Sequence, residues 1–290
     1  MKVVFYGAGE LTKRFLKEGT DDYEIVAILD KKYESIKTIY GHKVYSPESV
    51  LNFDFEYVII ALDDLKKGMD EIIKEVYCYL IEIGVPEDKI ILQSFKSLEH
   101  HINRFPRKDY LFSLSKLMHK EGIYGDVAEC GVYRGWFASM INQCFPEENL
   151  WLFDTFCGFD KKDVENDTNP AKEAILGGEF DRFYTTSEEI VRMRCMHREK
   201  LKICKGYVPD TFKDVNAEFC FVNLDMDLYV PQLEALKFFS TRMVKGGVIL
   251  VHDYYSRTFT GTAKAVDEFC YGKDIVKYPI GDGLSIALQF

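Results

Sequence analysis

Several things are missing from this chain of 290 residues, and each absence narrows the reading. No uncharged window of about 18 apolar residues occurs, which removes a membrane-spanning helix. The opening MKVVFYGAG has neither a basic-then-apolar stretch nor a small-residue cleavage site, so no export signal is expected and a cytoplasmic location is. Eight cysteines include no C-x-x-C pair, and several lie in apolar runs such as DVAEC and EFCFVNLD. They are expected to be buried free thiols, neither disulfides nor zinc ligands. A basic lobe is missing too: residues 1–110 carry 16 Lys and Arg against 20 Asp and Glu, and residues 111–290 carry 21 against 27. With a formal charge of -10, nucleic acid is a poor partner. There is no repeat at solenoid period and no Walker lysine-serine pair. What remains, 47% apolar and 29% charged residues, suits a folded protein with a substantial core, and the length suits two domains.

Short β-branched runs alternate with helical patterns twice, which predicts an α/β protein with parallel sheets flanked by helices. In the first block the strands are expected at 3–7, 24–30, 56–62 and 89–93. A helix is expected over 64–84, where Ile72, Ile73, Val76, Leu80 and Ile83 repeat at helical spacing and Gly84 stops it. The polar stretch 96–106, with His100, His101 and Arg104, reads as a linker ending at Pro106, so the domains are expected at 1–100 and 106–290. The second block opens with a helix carrying Tyr110, Leu111, Leu114, Leu117 and Met118. Six strands follow: DVAECG, NLWLFDTF, LKICKGY, EFCFVNLD, GGVILVHDY and GLSIALQF. Thr186 with Glu189 suggests a capping box for one of the intervening helices. The polar segment between Cys157 and Tyr184 is too long for an ordinary connection and reads as a lid, with Phe156, Phe159, Phe180, Phe183 and Tyr184 available to cover a ligand.

The turn GAGELT at 7–12 leaves a strand and enters a helix, with Asp30 closing the next strand, as in a dinucleotide-binding loop. Thr12 replaces the third glycine, and a β-branched residue there is expected to hold helix and strand further apart. Three readings stay open: a nucleotide or nucleotide-sugar phosphate at the helix N-terminus, NAD-linked redox chemistry, or a structural turn. The run from Gly7 through VAILDKKY to GHKVYSPESV is similar to the small Rossmann-like domains that precede sugar-modifying enzymes.

In the second block, Glu129 ends a strand while Gly131 and Gly135 bracket a tight turn into a helix, where backbone can approach a ligand closely. Asp154 ends the next strand, placed to accept both hydrogen bonds of a ribose diol. Two further strands end in Asp225-Met226-Asp227 and His252-Asp253. Acidic strand ends also occur as helix caps or solvated loop residues, but both of these fall where open α/β sheets bind ligands. Together, ECGVYRG, FDTFCGF, KGYVPDTF, NLDMDLY and GGVILVHDYYSRTFTGTAKAVDEF resemble the macrocin O-methyltransferase (TylF-like) family of S-adenosylmethionine-dependent methyltransferases, from about residue 110 to the C-terminus.

The resemblance implies a class I methyltransferase sheet of seven strands with the last antiparallel, a divalent metal, and methylation of a sugar hydroxyl in a surface polysaccharide or glycosylated natural product. It also implies that Glu129, Gly131 and Gly135 line the methionine end of S-adenosylmethionine, that Asp154 meets the ribose, and that Gly206 and Tyr207 approach the adenine. A sugar hydroxyl is almost never ionised at neutral pH, so positioning alone is insufficient, and a cation plus a base are wanted. Asp225 and Asp253 are assigned to the metal and Asp227 to the base, with the roles of Asp225 and Asp227 open to exchange. His252 stands where family members place a second carboxylate. An imidazole suits manganese, iron or zinc better than magnesium, which leaves both magnesium and manganese in view; the alternative is a histidine that only hydrogen-bonds. The expected partner is a sugar or sugar nucleotide, with a homo-oligomer plausible. Two other functions stay open: a nucleotide-sugar-binding protein with a non-catalytic methyltransferase-like domain, and an NAD-dependent sugar oxidoreductase.

Overall fold

The computed structural model describes residues 1–18, 23–63, 68–93 and 106–290. The chain divides into two compact units, Met1–Phe105 with Met193–Met196, and Pro106–Arg192 with His197–Phe290. The linker expected at 96–106 lies outside the described residues except for Pro106, which opens a helix in the position where a missing backbone N–H costs nothing. Among the described residues, no helix is long and apolar enough to cross a membrane.

In the first unit, β1 (Lys2–Tyr6), α1 (Glu10–Glu18), β2 (Glu24–Leu29), α2 (Tyr33–Ile36), β3 (Thr38–Ile39), β4 (His42–Tyr45), β5 (Tyr57–Ala61), α3 (Met69–Glu82) and β6 (Ile90–Gln93) follow one another. The sheet order is β3-β4-β2-β1-β5-β6, parallel except where β3 meets β4. All four expected strands form; the two short ones at the sheet edge carry too few apolar residues to be read in advance. Residues 64–67 of the expected helix lie outside the described residues. Gly7 has φ +114°, and a Cβ there would lie 2.9 Å from the Ala61 carbonyl oxygen, so the chain leaves β1 only through a glycine. Thr12 is the third residue of α1. It is fully buried, and its hydroxyl donates to the Gly7 carbonyl, which spends the extra group on holding the turn. Asp30 accepts the backbone N–H groups of Ala8 and Lys32, each at 2.7 Å, so it fastens the glycine turn from the neighbouring strand.

The second unit begins with α4 (Pro106–Glu121) and continues β7 (Asp126–Cys130), α5 (Trp136–Cys144), β8 (Leu150–Asp154), α6 (Lys161–Asn166), α7 (Asn169–Leu176), α8 (Glu188–Arg194), β9 (Leu201–Lys205), β10 (Phe219–Leu224), α9 (Tyr229–Ser240), β11 (Met243–Val251), α10 (Thr260–Cys270), β12 (Val276–Pro279) and β13 (Ile286–Gln289). Its seven-stranded order is β12-β13-β11-β10-β7-β8-β9, with β13 antiparallel to both neighbours. The seventh strand, β12, is an exposed edge ending in proline, and its solvated side chains gave no apolar run to read. The central strand β10 is buried along its whole length. Phe153, Phe212, Phe219 and Phe239 pack edge to face beside it, with ring centroids 5.0–5.9 Å apart.

Three local readings need correction. The segment between Cys157 and Tyr184 folds into α6 and α7, whose Val164 and Ala171 bury against Leu228 and Phe259. The cap of α8 is Ser187, whose hydroxyl accepts from Ile190 N at 3.2 Å, while Thr186 turns its hydroxyl to the Tyr133 carbonyl. All eight cysteines are free, but Cys78 and Cys157 are exposed.

Candidate functional site

The site builds up at the carboxyl ends of β7, β8, β10 and β11. The chain leaves β7 through Gly131, with φ +81°, and a Cβ there would fall 1.9 Å from the Asp225 carbonyl oxygen. The exits of β7 and β10 therefore pass so closely that only glycine fits between them. Gly135, φ +77°, starts α5 with an added Cβ only 3.1 Å from Val191. Gly131→Ala is expected to cost about 1–3 kcal/mol, as an overpacked core does, and to weaken binding of S-adenosylhomocysteine. Thermal denaturation and calorimetric titration check this; unchanged melting and affinity would count against the close passage.

Glu129 is buried beneath this turn. Its Oε1 accepts from Asn223 Nδ2 at 2.9 Å, and its Oε2 is buried with no hydrogen-bond partner among the described residues. Burial pushes its carboxyl well above the usual range, with the charge of Arg107 opposing. An orphaned carboxylate oxygen in that setting is what a cationic ligand group, such as the ammonium of a methionine end, satisfies.

Asp154 behaves differently from the expectation. Its Oδ2 accepts from Val132 N at 2.7 Å and Tyr133 N at 2.8 Å, and its Oδ1 from Phe156 N at 2.7 Å. A carboxylate has about four lone-pair sites, so about one remains, enough for a single ribose hydroxyl but not for both. Burial raises this carboxyl even though three N–H groups favour its charged form. Gly206 N donates to the Asp154 carbonyl at 2.9 Å, which brings the turn after β9 beside it. The neighbouring Tyr207 hydroxyl donates to Asp163 Oδ1 on α6 at 2.9 Å, tying that turn to the former lid segment.

Asp225, His252 and Asp253 come together: one ligand atom of each lies within 4.8 Å of the others. His252 Nδ1 is 3.1 Å from Asp225 Oδ1 and 2.6 Å from Asp253 Oδ2. Burial lowers the imidazole pKa, but Asp225 outweighs it and the value rises to about 9. Burial likewise raises Asp225, and the charges of His252 and Arg107 overturn that and hold it well below the usual carboxylate range. Asp227 stands outside this trio but hydrogen-bonds Asp253; burial, then Asp253 and Asp225, push its carboxyl well above the usual range. Both Asp227 (φ +63°) and Asp253 (φ +59°) adopt left-handed backbone, a conformation that aspartate tolerates and that here turns their side chains at the strand ends. The turn of Asp227 is held by Thr262 Oγ1, which donates to its carbonyl at 3.0 Å, while Asp167 Oδ2 of the former lid segment accepts from Tyr229 N at 2.5 Å.

Arg107 and Asn223 were not found from the sequence. The Arg107 guanidinium donates to Asp225 Oδ2 through Nη1 at 3.1 Å and Nη2 at 3.0 Å, and to Asn223 Oδ1 at 2.7 Å. It also lies 4.2 Å over the Phe137 ring. A continuous run of polar contacts thus joins Glu129, Asn223, Arg107, Asp225, His252 and Asp253. A signal existed for both: Arg107 shares the buried face of α4 with Leu111, Ser115 and Met118, and Asn223 interrupts the apolar strand FCFVNL.

With this geometry in view, comparison with known proteins is informative. The sequence model of the Macrocin-O-methyltransferase (TylF) family matches residues 105–282, and that of the C2185-like N-terminal domain matches residues 1–91. A curated relative from Streptomyces olivaceus, 8-demethyl-8-(2,3-dimethoxy-alpha-L-rhamnosyl)-tetracenomycin-C 4'-O-methyltransferase, is 22% identical over 178 residues, covering 58% of this chain and 67% of the relative. Among solved structures, the O-methyltransferase NovP superposes with a TM-score of 0.54 at 20% identity, covering 78% of this chain and 99% of that one. At that identity the likeness speaks for the fold.

Proposed function

Since the chain belongs to the macrocin O-methyltransferase family of S-adenosylmethionine-dependent enzymes, we propose that it methylates a hydroxyl of a sugar, with a divalent cation at Asp225, His252 and Asp253 and with Asp227 as base. Membership displaces the oxidoreductase and the non-catalytic binding protein as readings. The observation that carries the proposal is the convergence at one sheet edge of the orphaned Glu129 oxygen, the Gly131 turn and the cluster of Asp225, His252 and Asp253. The relative that methylates a rhamnosyl group supports the sugar.

When bound, S-adenosylmethionine supplies the methyl group and a divalent cation supplies positive charge that acidifies the acceptor hydroxyl. The residues of this chain do the rest. Glu129 offers its free Oε2 to the cofactor's ammonium, the turn through Gly131 and Gly135 lets backbone reach it, and Asp154 gives its remaining site to a ribose hydroxyl. Gly206 and Tyr207 border the adenine end. Asp227, two residues beyond Asp225 and beside Asp253, is the carboxylate placed to take the acceptor's proton. For the unit spanning the expected domain 1–100, the proposal is a nucleotide-binding role, supported by the turn Gly7–Gly9 into α1 at the carboxyl edge of its sheet. Incubating the whole protein with isotope-labelled S-adenosylmethionine and free or nucleotide-linked deoxysugars should give a singly methylated sugar by mass spectrometry. Transfer to catechols with none to any sugar would overturn the acceptor class.

A further inference from the structure

We propose that His252 makes this cluster select a first-row transition cation over magnesium. The inference rests on the reading above that Asp225, His252 and Asp253 hold a divalent cation. The imidazole nitrogen is inside the donor set: Nδ1 is 3.1 Å from one Asp225 oxygen and 2.6 Å from one Asp253 oxygen. A cation that engages both carboxylates therefore meets nitrogen as its third protein donor. Magnesium demands a near-ideal octahedron of oxygens at roughly 2.0–2.1 Å and gives up water reluctantly, so it gains little from imidazole. Iron, nickel and zinc take imidazole readily, and manganese, which favours oxygen, stands at the lower end of the same first-row series and tolerates a nitrogen donor better than magnesium does.

Charge points the same way. Arg107, with a side chain only 6% exposed, sits on Asp225 Oδ2 through both terminal nitrogens. The Arg107 guanidinium offsets the charge of one of the carboxylates around the donor atoms. That oxygen of Asp225 is already committed, which leaves Oδ1, the one facing His252, to a cation. A hard cation held chiefly by charge loses most from this internal compensation, whereas a borderline cation recovers part of the loss through the nitrogen.

The test uses the full-length protein stripped by a chelator. Manganese is titrated by the electron paramagnetic resonance signal of the free aquo ion, magnesium is added as competitor, and electron spin echo envelopes report nitrogen on bound manganese. In the wild type, manganese should bind much more tightly than magnesium and should show coupling to one directly bound nitrogen. In His252→Asp that coupling should vanish and the magnesium-to-manganese ratio of dissociation constants should fall by about tenfold or more. His252→Gln, uncharged and closer in size to imidazole, guards against misfolding of the aspartate variant and should also lose the coupling. Manganese bound without nitrogen coupling, or an unchanged ratio in both variants, overturns the selectivity while the cation site stands. Binding of neither metal by the wild type overturns the cation reading and the inference with it.

Discussion

Asp227→Asn is expected to lower kcat by about 10²–10⁴-fold, the usual worth of a positioned base, while S-adenosylhomocysteine still binds as it does to the wild type. The substitution keeps size and shape, removes the negative charge with the capacity to take a proton, and exchanges one acceptor oxygen for an NH2 donor. Asp227 hydrogen-bonds Asp253 and feels both Asp253 and Asp225, so the amide also relieves crowding between carboxyl groups. Folding stability should accordingly stay level or rise. Asparagine tolerates left-handed backbone as aspartate does, so the backbone stays unstrained and turnover reports the carboxylate itself; a bystander would leave turnover intact. Single-turnover kinetics with a sugar acceptor and a urea melt of the same sample decide the matter. Undiminished turnover in Asp227→Asn would move the base elsewhere in the cluster.

Arg107→Met should destabilise the second unit by about 3–5 kcal/mol. The guanidinium serves Asp225 and Asn223 together and covers the Phe137 ring. Methionine fills similar volume but leaves the buried Asp225 with His252 as its remaining counter-charge and the Asn223 oxygen without its Arg107 donor. Arg107→Lys restores the charge but not the planar fork, so it should recover only part of the loss. A urea midpoint in each variant that stays at the wild-type value would show that the contacts contribute nothing.

How much of this was legible beforehand depends on range. Acids at strand ends and glycines at strand exits are local patterns, and Glu129, Gly131, Asp225, Asp227 and Asp253 all sit at the carboxyl edge to which the motifs pointed. Strand β12 escaped because its side chains are solvated, and the α8 cap was misread by one residue because Thr186 finds a carbonyl 53 positions away. Asp154 was read for its ligand, yet most of its capacity goes to three amides, a use that depends on where the neighbouring loop comes to lie. Arg107 reaches across 118 positions to Asp225, and nothing in either segment names the other. Only the oddity of a charge on an apolar helix face hinted at it.

The place of Arg107 also bears on how the protein can be divided. It occupies the second position of α4, sixteen residues that precede the first strand of the second sheet. A fragment begun at Asp126, where the β-α pattern starts, would contain every motif quoted for the second domain but would lack the guanidinium that donates twice to Asp225. A piece of this chain that keeps the guanidinium on Asp225 therefore begins no later than Arg107, and a protease nick just after Arg107 is expected to lower activity without touching a residue of the sheet.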